Sequence, residues 1–196
     1  MLLDEPFSSL DAGLREETGR AVVRALRTRG AAAVLVTHDQ GEALSLADQV
    51  AVLHEGRFLQ VAAPGAVYLT PADERVASFL GLSVLLPGTI GAASPRVVRC
   101  ALGEVGLRGD VRPGPVRVAV RAEQVQVTAK DSGTPAEVLD TSFFGHDATV
   151  RVRLASGELV VARTPAGVVP LAGDQVGVQV VGDVVAFADE PGRPPR

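Results

Sequence analysis

A chain of 196 residues with 46% hydrophobic and 21% charged residues carries enough apolar side chain for a packed core, which excludes the disordered and collagen-like classes. The net charge of −4, with no basic stripe, argues against a nucleic-acid-binding surface, and the single cysteine, Cys100, excludes an internal disulfide or a thiol pair for zinc or redox chemistry. No apolar run approaches the roughly 18 residues that cross a bilayer, and the N-terminus has no basic signal-like region.

The first half alternates short apolar runs with helical stretches, the rhythm of strands and crossover helices in a parallel sheet. Leu2-Leu3 reads as a strand that ends abruptly at Asp4-Glu5. A helix is predicted over Ala12–Arg29, with Leu14, Ala21, Val22, Ala25 and Leu26 on one face at the 3.6-residue period. Ala32–Val36 is a continuous apolar run, read as a strand buried on both faces and ending at Thr37-His38. Asp39 followed by Glu42 predicts a capping box that opens a helix running to Ala47. Val50–Leu53 and Phe58–Val61, separated by His54-Glu55-Gly56, predict a hairpin, and short helices follow near Ala66–Leu69 and Asp73–Leu80. The α/β half is thus expected over residues 1–81.

From residue 82 the sequence turns to valine, glycine and proline. Val116–Val120, Thr149–Leu154 and Val176–Val180 alternate with a period of two, and Ser156-Gly157, Gly173-Asp174 and Gly182-Asp183 mark turns. An antiparallel all-β barrel or sandwich is expected over 82–190, and 191–196 is expected to be a mobile tail.

Asp4 and Glu5 stand where a buried parallel strand emerges, the place at which open α/β sheets bind ligands. One acid can hold a metal while its neighbour meets a water. Taken alone, such a pair more often merely ends a strand on the surface, with no further role. The context is more specific, because Ser8-Ser9-Leu10-Asp11 follows at once and His38 arrives after one helix and one strand. This combination resembles the ABC ATPase family: Leu2-Leu3-Asp4-Glu5-Pro6 is similar to its Walker B strand, Ser9-Leu10-Asp11 to its D-loop and Thr37-His38-Asp39 to its switch-histidine loop. The resemblance implies a partial P-loop NTPase fold in which Asp4 holds Mg²⁺ through a water and Glu5 accepts the proton of the attacking water. It also implies that His38 contacts the γ-phosphate and that Asp11 belongs to the nucleotide-binding residues. An Asp immediately before a helix is also the standard N-cap, and both roles can coexist. His54 and His146 fall in predicted turns without metal-ligand spacing and are read as exposed and without a site role.

The phosphate-binding pattern G-x-x-x-x-G-K-[ST] does not occur, since the only lysine, Lys130, is followed by Asp131. The family's signature motif and Q-loop are also absent from the sequence. ATP and Mg²⁺ are therefore the cofactors implied for a full-length subunit, whereas this chain by itself is expected neither to bind nor to hydrolyse ATP.

The second half resembles the TOBE regulatory domain, an OB-like barrel, of importers of the maltose, polyamine and ferric-iron type. Leu85-Leu86-Pro87-Gly88-Thr89 is similar to its entry, and Arg121-Ala122-Glu123 to its Arg-Pro-Glu turn, with alanine in place of proline. Phe143-Phe144-Gly145-His146-Asp147, followed by Arg151 and Arg153, is similar to its central hairpin and leans toward ferric iron or polyamine as the imported substrate. The implied partners are permease subunits, a periplasmic or lipid-anchored substrate-binding protein, and a second copy docked through the ATPase and barrel domains. The implied location is cytoplasmic, peripheral to the inner face of the membrane. Two other readings stay open: a non-catalytic regulatory or ligand-binding module built on the barrel, and a start placed at an internal methionine of a longer protein.

Overall fold

The computed structural model describes residues 1–81, 83–167 and 169–189, which form two compact units, Met1–Ala72 and a second that begins at Asp73. The residues expected to form a tail, 191–196, lie outside the described residues.

In the first unit β1 (Leu2–Asp4) leads through α1 (Ala12–Thr28) to β2 (Val34–Val36). The two strands are parallel, with Leu2 opposite Val34 and Asp4 opposite Val36. The Asp11 carboxylate caps α1 by accepting from the Leu14 N–H at 2.9 Å. α2 (Gln40–Leu46) crosses α1 closely at Gly19, where a Cβ would lie 2.7 Å from Leu46 Cδ1. That approach decides which face of α1 turns inward. Arg15, Gly19, Val22, Val23 and Leu26 face in, whereas Leu14, Ala21 and Ala25, expected on the apolar face, are exposed. β2 likewise departs from expectation. Only Leu35 is half-buried, while Val34 and Val36 are 61% and 48% exposed, because β1 is the only strand paired with it among the described residues. β3 (Val50–His54) and β4 (Arg57–Ala62) form an antiparallel hairpin through Glu55 and Gly56, at φ +48° and +75°, the paired positive angles of a type I′ turn. α3 (Pro64–Leu69) closes the unit with proline in its first turn, where a missing N–H costs nothing.

The second unit opens with α4 (Glu74–Phe79), capped by Asp73. Ten strands follow: β5 (Ser83–Ile90), β6 (Val97–Cys100), β7 (Gly103–Gly106), β8 (Gly114–Arg121), β9 (Val125–Thr128), β10 (Thr134–Phe143), β11 (Asp147–Leu154), β12 (Leu159–Pro165), β13 (Gln175–Val180) and β14 (Val185–Ala188). They make two five-stranded antiparallel sheets, ordered β14-β8-β5-β6-β7 and β12-β11-β10-β13-β9. One core joins both sheets, with Leu86, Val98 and Val118 from the first and Val138, Val150 and Val178 from the second. The period-two pattern is explicit on β11, where Ala148, Val150, Val152 and Leu154 are buried and Arg151 and Arg153 are exposed.

The units part at Ala72/Asp73, whereas composition placed the change at residue 82. The helix α4 is tied to the strands because the buried Arg121 donates from Nη1 to the Leu80 carbonyl at 2.5 Å. Ser83 Oγ also donates to the Ala77 carbonyl at 3.2 Å. Over the described residues the chain is mostly β-sheet with few helices, and its parallel sheet consists of β1 and β2.

Candidate functional site

Two chain turns meet at the carboxyl ends of the parallel strands. β1 delivers Asp4 at its end and Glu5 immediately beyond, and the Glu5 N–H donates to the Val36 carbonyl at 2.8 Å, extending the pairing by one bond. Glu5 then takes φ +42°, which swings the chain away from the strand. The turn continues as Ser8 donates from both its N–H and its hydroxyl to the Glu5 carbonyl, at 3.3 and 3.0 Å.

β2 delivers Thr37 and His38 beside this turn. His38 Nδ1 lies 2.8 Å from Glu5 Oε1, although the two residues are 33 apart in sequence. Its pKa is raised above the ordinary 6.5, first by the hydrogen bond it donates to Glu5 and then by the charge of the same carboxylate, with smaller contributions from Asp39 and Glu42. Both side chains remain open to solvent, at 75% and 46% exposure, so a water or a ligand can reach the pair.

A second layer of bonds lies beneath it. Asp39 caps α2 by accepting from the Glu42 N–H at 3.0 Å, and this bond, ahead of the Arg15 guanidinium, holds its carboxyl below the usual 3.8. Glu42, expected to complete a capping box by reaching the Asp39 N–H, does otherwise. Thr37 Oγ1 takes that N–H at 3.0 Å and donates its own proton to Glu42 Oε2 at 2.7 Å, so the threonine relays the box. Arg15 spans the two turns: Nη1 donates to Asp39 Oδ2 at 2.8 Å, Nη2 donates to the Leu10 carbonyl at 3.0 Å, and Nε lies 3.8 Å from Glu42 Oε1. Together Glu5, Ser8, Arg15, Thr37, His38 and Glu42 line a shallow recess that also touches Asp39.

Of the residues singled out by sequence, the structure brings Glu5 and His38 together. Asp4 is exposed at the strand end, one residue from the pair, and no cluster of three metal-ligating side chains exists among the described residues. Asp11 acts as the N-cap of α1 and does not line the recess. His54 and His146 are exposed, each near only the acid that follows it, Glu55 at 3.9 Å and Asp147 at 3.6 Å. Sequence reading missed Arg15 and Glu42 as parts of the site, and it placed Thr37 in the loop of His38 without giving it a role. Arg15 carried a usable signal, being a cation in the first turn of a helix, where the macrodipole disfavours positive charge unless a local anion compensates.

Comparison with known proteins bears on what this geometry serves. A model of the TOBE domain matches residues 118–187. Over 192 residues the sequence is 41% identical to an Fe(3+) ions import ATP-binding protein of Rhodococcus jostii, covering 95% of this chain and 55% of that protein. It is also 41% identical, over 191 residues, to the Fe(3+) ions import ATP-binding protein of Serratia marcescens, covering 96% of this chain and 54% of that protein. The chain is thus similar over nearly its whole length to import ATP-binding proteins, and residues 118–187 are similar to the TOBE domain. It spans about half the length of the curated relatives it matches. The stretch that matches the TOBE domain runs from within β8 to within β14, so it takes in strands of both sheets of the second unit. A solved structure of the cytoplasmic molybdate-binding protein ModG is similar over 54% of this chain and 96% of its own, with 14% identity and a TM-score of 0.42, a likeness too loose to carry a ligand or a function across.

Proposed function

We propose that residues 1–72 supply the hydrolytic end of an ATPase site, in a partial P-loop NTPase fold, to a subunit that drives import of ferric ion, and that the second unit is its OB-like regulatory barrel. The observation that carries this reading is the Glu5–His38 contact of 2.8 Å at the carboxyl ends of two parallel strands. That the Rhodococcus jostii and Serratia marcescens relatives are Fe(3+) ions import ATP-binding proteins supports the choice of substrate.

The residues present suit Mg²⁺ and ATP, because Mg²⁺ usually takes only one or two protein carboxylates and completes its shell with waters and phosphate oxygens. Asp4 is the carboxylate in that position, and Mg²⁺ would supply neutralisation of phosphate charge. Glu5 is the general base. His38 Nδ1 occupies only Oε1, which leaves Oε2 to orient a water and accept its proton. His38 stands at the mouth of the recess, where its second ring nitrogen can donate to a terminal phosphate oxygen. Asp11, through its position beside the turn, is assigned to the nucleotide-facing residues in addition to its role as a cap. The sequence lacks a P-loop lysine, so a full site needs residues from outside the 196 described by this sequence. Partner permease subunits, a substrate-binding protein, pairing with a second copy and a place on the cytoplasmic face of the membrane belong to the same reading.

The test is Glu5→Gln within a full-length subunit assembled with its permease. Turnover of ATP is expected to fall about 10²–10⁴-fold, the range supplied by a positioned general base. Turnover within a factor of two of wild type would remove Glu5 from that role.

A further inference from the structure

We propose that Arg15 is a positioning residue that sets the Glu5–His38 contact by tying the turn after β1 to the turn after β2. Its place in catalysis rests on the hydrolytic reading given above; its place in the structure does not.

The two turns have few other connections. Glu5 is fixed to β2 by one backbone bond, from its N–H to the Val36 carbonyl, and His38 meets it through exposed side chains alone. Such a contact between mobile, hydrated groups holds poorly unless the backbone beneath each partner is held. Arg15 holds both. Nη2 grips the Leu10 carbonyl, at the end of the turn that begins with Glu5, while Nη1 grips Asp39, the neighbour of His38. A guanidinium is suited to this task because its donors lie in a fixed fork, and lysine, with one rotating ammonium, cannot reproduce it. The far end of the tie is itself fixed, since Asp39 caps α2 and the buried Glu42 faces Arg15 Nε and accepts from Thr37.

The charge of Arg15 and its geometry act on His38 in opposite directions, and this separates positioning from electrostatics. The groups that face His38 are the carboxylates of Glu5, Asp39 and Glu42, with the Arg15 guanidinium behind them. Removing a nearby positive charge raises a histidine's pKa. Losing the Glu5 contact lowers it. Arg15→Gln therefore predicts a fall in the His38 midpoint toward 6.5 if Arg15 positions the pair, and a rise if it acts only as a charge.

The experiment is an NMR titration of the three histidines in the whole chain, with His38 assigned through His38→Gln and with His54 and His146 as internal controls. Wild type, Arg15→Gln, Glu5→Gln and the double variant form a cycle. The expected result is a downward shift of His38 in Arg15→Gln that vanishes in the Glu5→Gln background, with His54 and His146 unmoved. A rise, no change, or a shift of equal size in both backgrounds overturns the proposal. Arg15→Lys keeps the charge and serves where Arg15→Gln disturbs the fold; it is expected to lower the His38 midpoint by a smaller amount, and a wild-type midpoint in Arg15→Lys is equally fatal. In the full-length subunit, Arg15→Lys is expected to lower kcat while leaving the KM for ATP near wild type. Normal kcat beside an intact titration effect would count against the hydrolytic reading of the pair and leave the tie standing.

Discussion

Glu5 carries its carboxylate on a backbone at φ +42°, a left-handed conformation that costs a side-chain-bearing residue about 1–2 kcal/mol relative to the ordinary regions. Glycine would sit there without that cost. Glu5→Gly and Glu5→Gln both remove the charge, yet the glycine variant is expected to be the more stable of the two by about 1 kcal/mol, read from urea midpoints of helix ellipticity. Equal midpoints would show that the turn carries no strain. His38 gives the same site a pH signature. Its folded pKa is raised, so its contribution to stability is complete below the free value of 6.5 and is lost as pH rises through the folded midpoint. Asp39 has a lowered pKa, so its contribution is present above 3.8 and disappears as pH falls through its folded value. Local stability around α1 should therefore be greatest between these limits, and its decline above pH 6.5 should be absent in Glu5→Gln, as followed by thermal melts at stepped pH. At this scale the sequence was informative about Glu5 and His38, because acids at a strand end and a histidine at the next strand end are set by chain order. Arg15 was not visible as their neighbour, since its reach depends on how α1 lands, and that is fixed by the Gly19–Leu46 approach.

At the scale of single elements, α1 separates two roles of Asp11. Asparagine caps a helix about as well as aspartate, whereas alanine in place of a capping residue costs about 0.5–2 kcal/mol. Asp11→Asn should leave the urea midpoint of α1 close to wild type, and Asp11→Ala should lower the stability read from that midpoint by that amount. If Asp11→Asn nonetheless impairs ATP turnover in a full-length subunit, the carboxylate has a task beyond the cap. Loss of stability in Asp11→Asn as large as in Asp11→Ala would mean that the charge itself holds the helix. The strands of the second unit were legible because alternation is a local property: Val150 and Val152 point inward wherever β11 finds partners. β2 was misjudged for the converse reason. A continuous apolar run announces burial on both faces, but burial is supplied by neighbours, and among the described residues its paired strand is β1 alone.

Across the molecule the apolar side chains are unevenly protected. On β10 and β11 Val138, Val150 and Val152 are fully buried, whereas on β1 and β2 Leu2 and Val34 are 72% and 61% exposed. Opening free energy follows local burial, so backbone amides of β10 and β11 should exchange with deuterium far more slowly than those of β1 and β2. Similar protection in both sets would show that the first unit has a stability its own side chains do not explain. The junction at Ala72/Asp73 has a practical bearing on chimeric subunits. A barrel grafted from residue 82 onward would leave behind the Leu80 carbonyl that accepts from Arg121 Nη1 and the Ala77 carbonyl that accepts from Ser83 Oγ. A graft cut before Asp73 would keep both bonds together with the cap of α4, and so the transferable module is a helix with its strands.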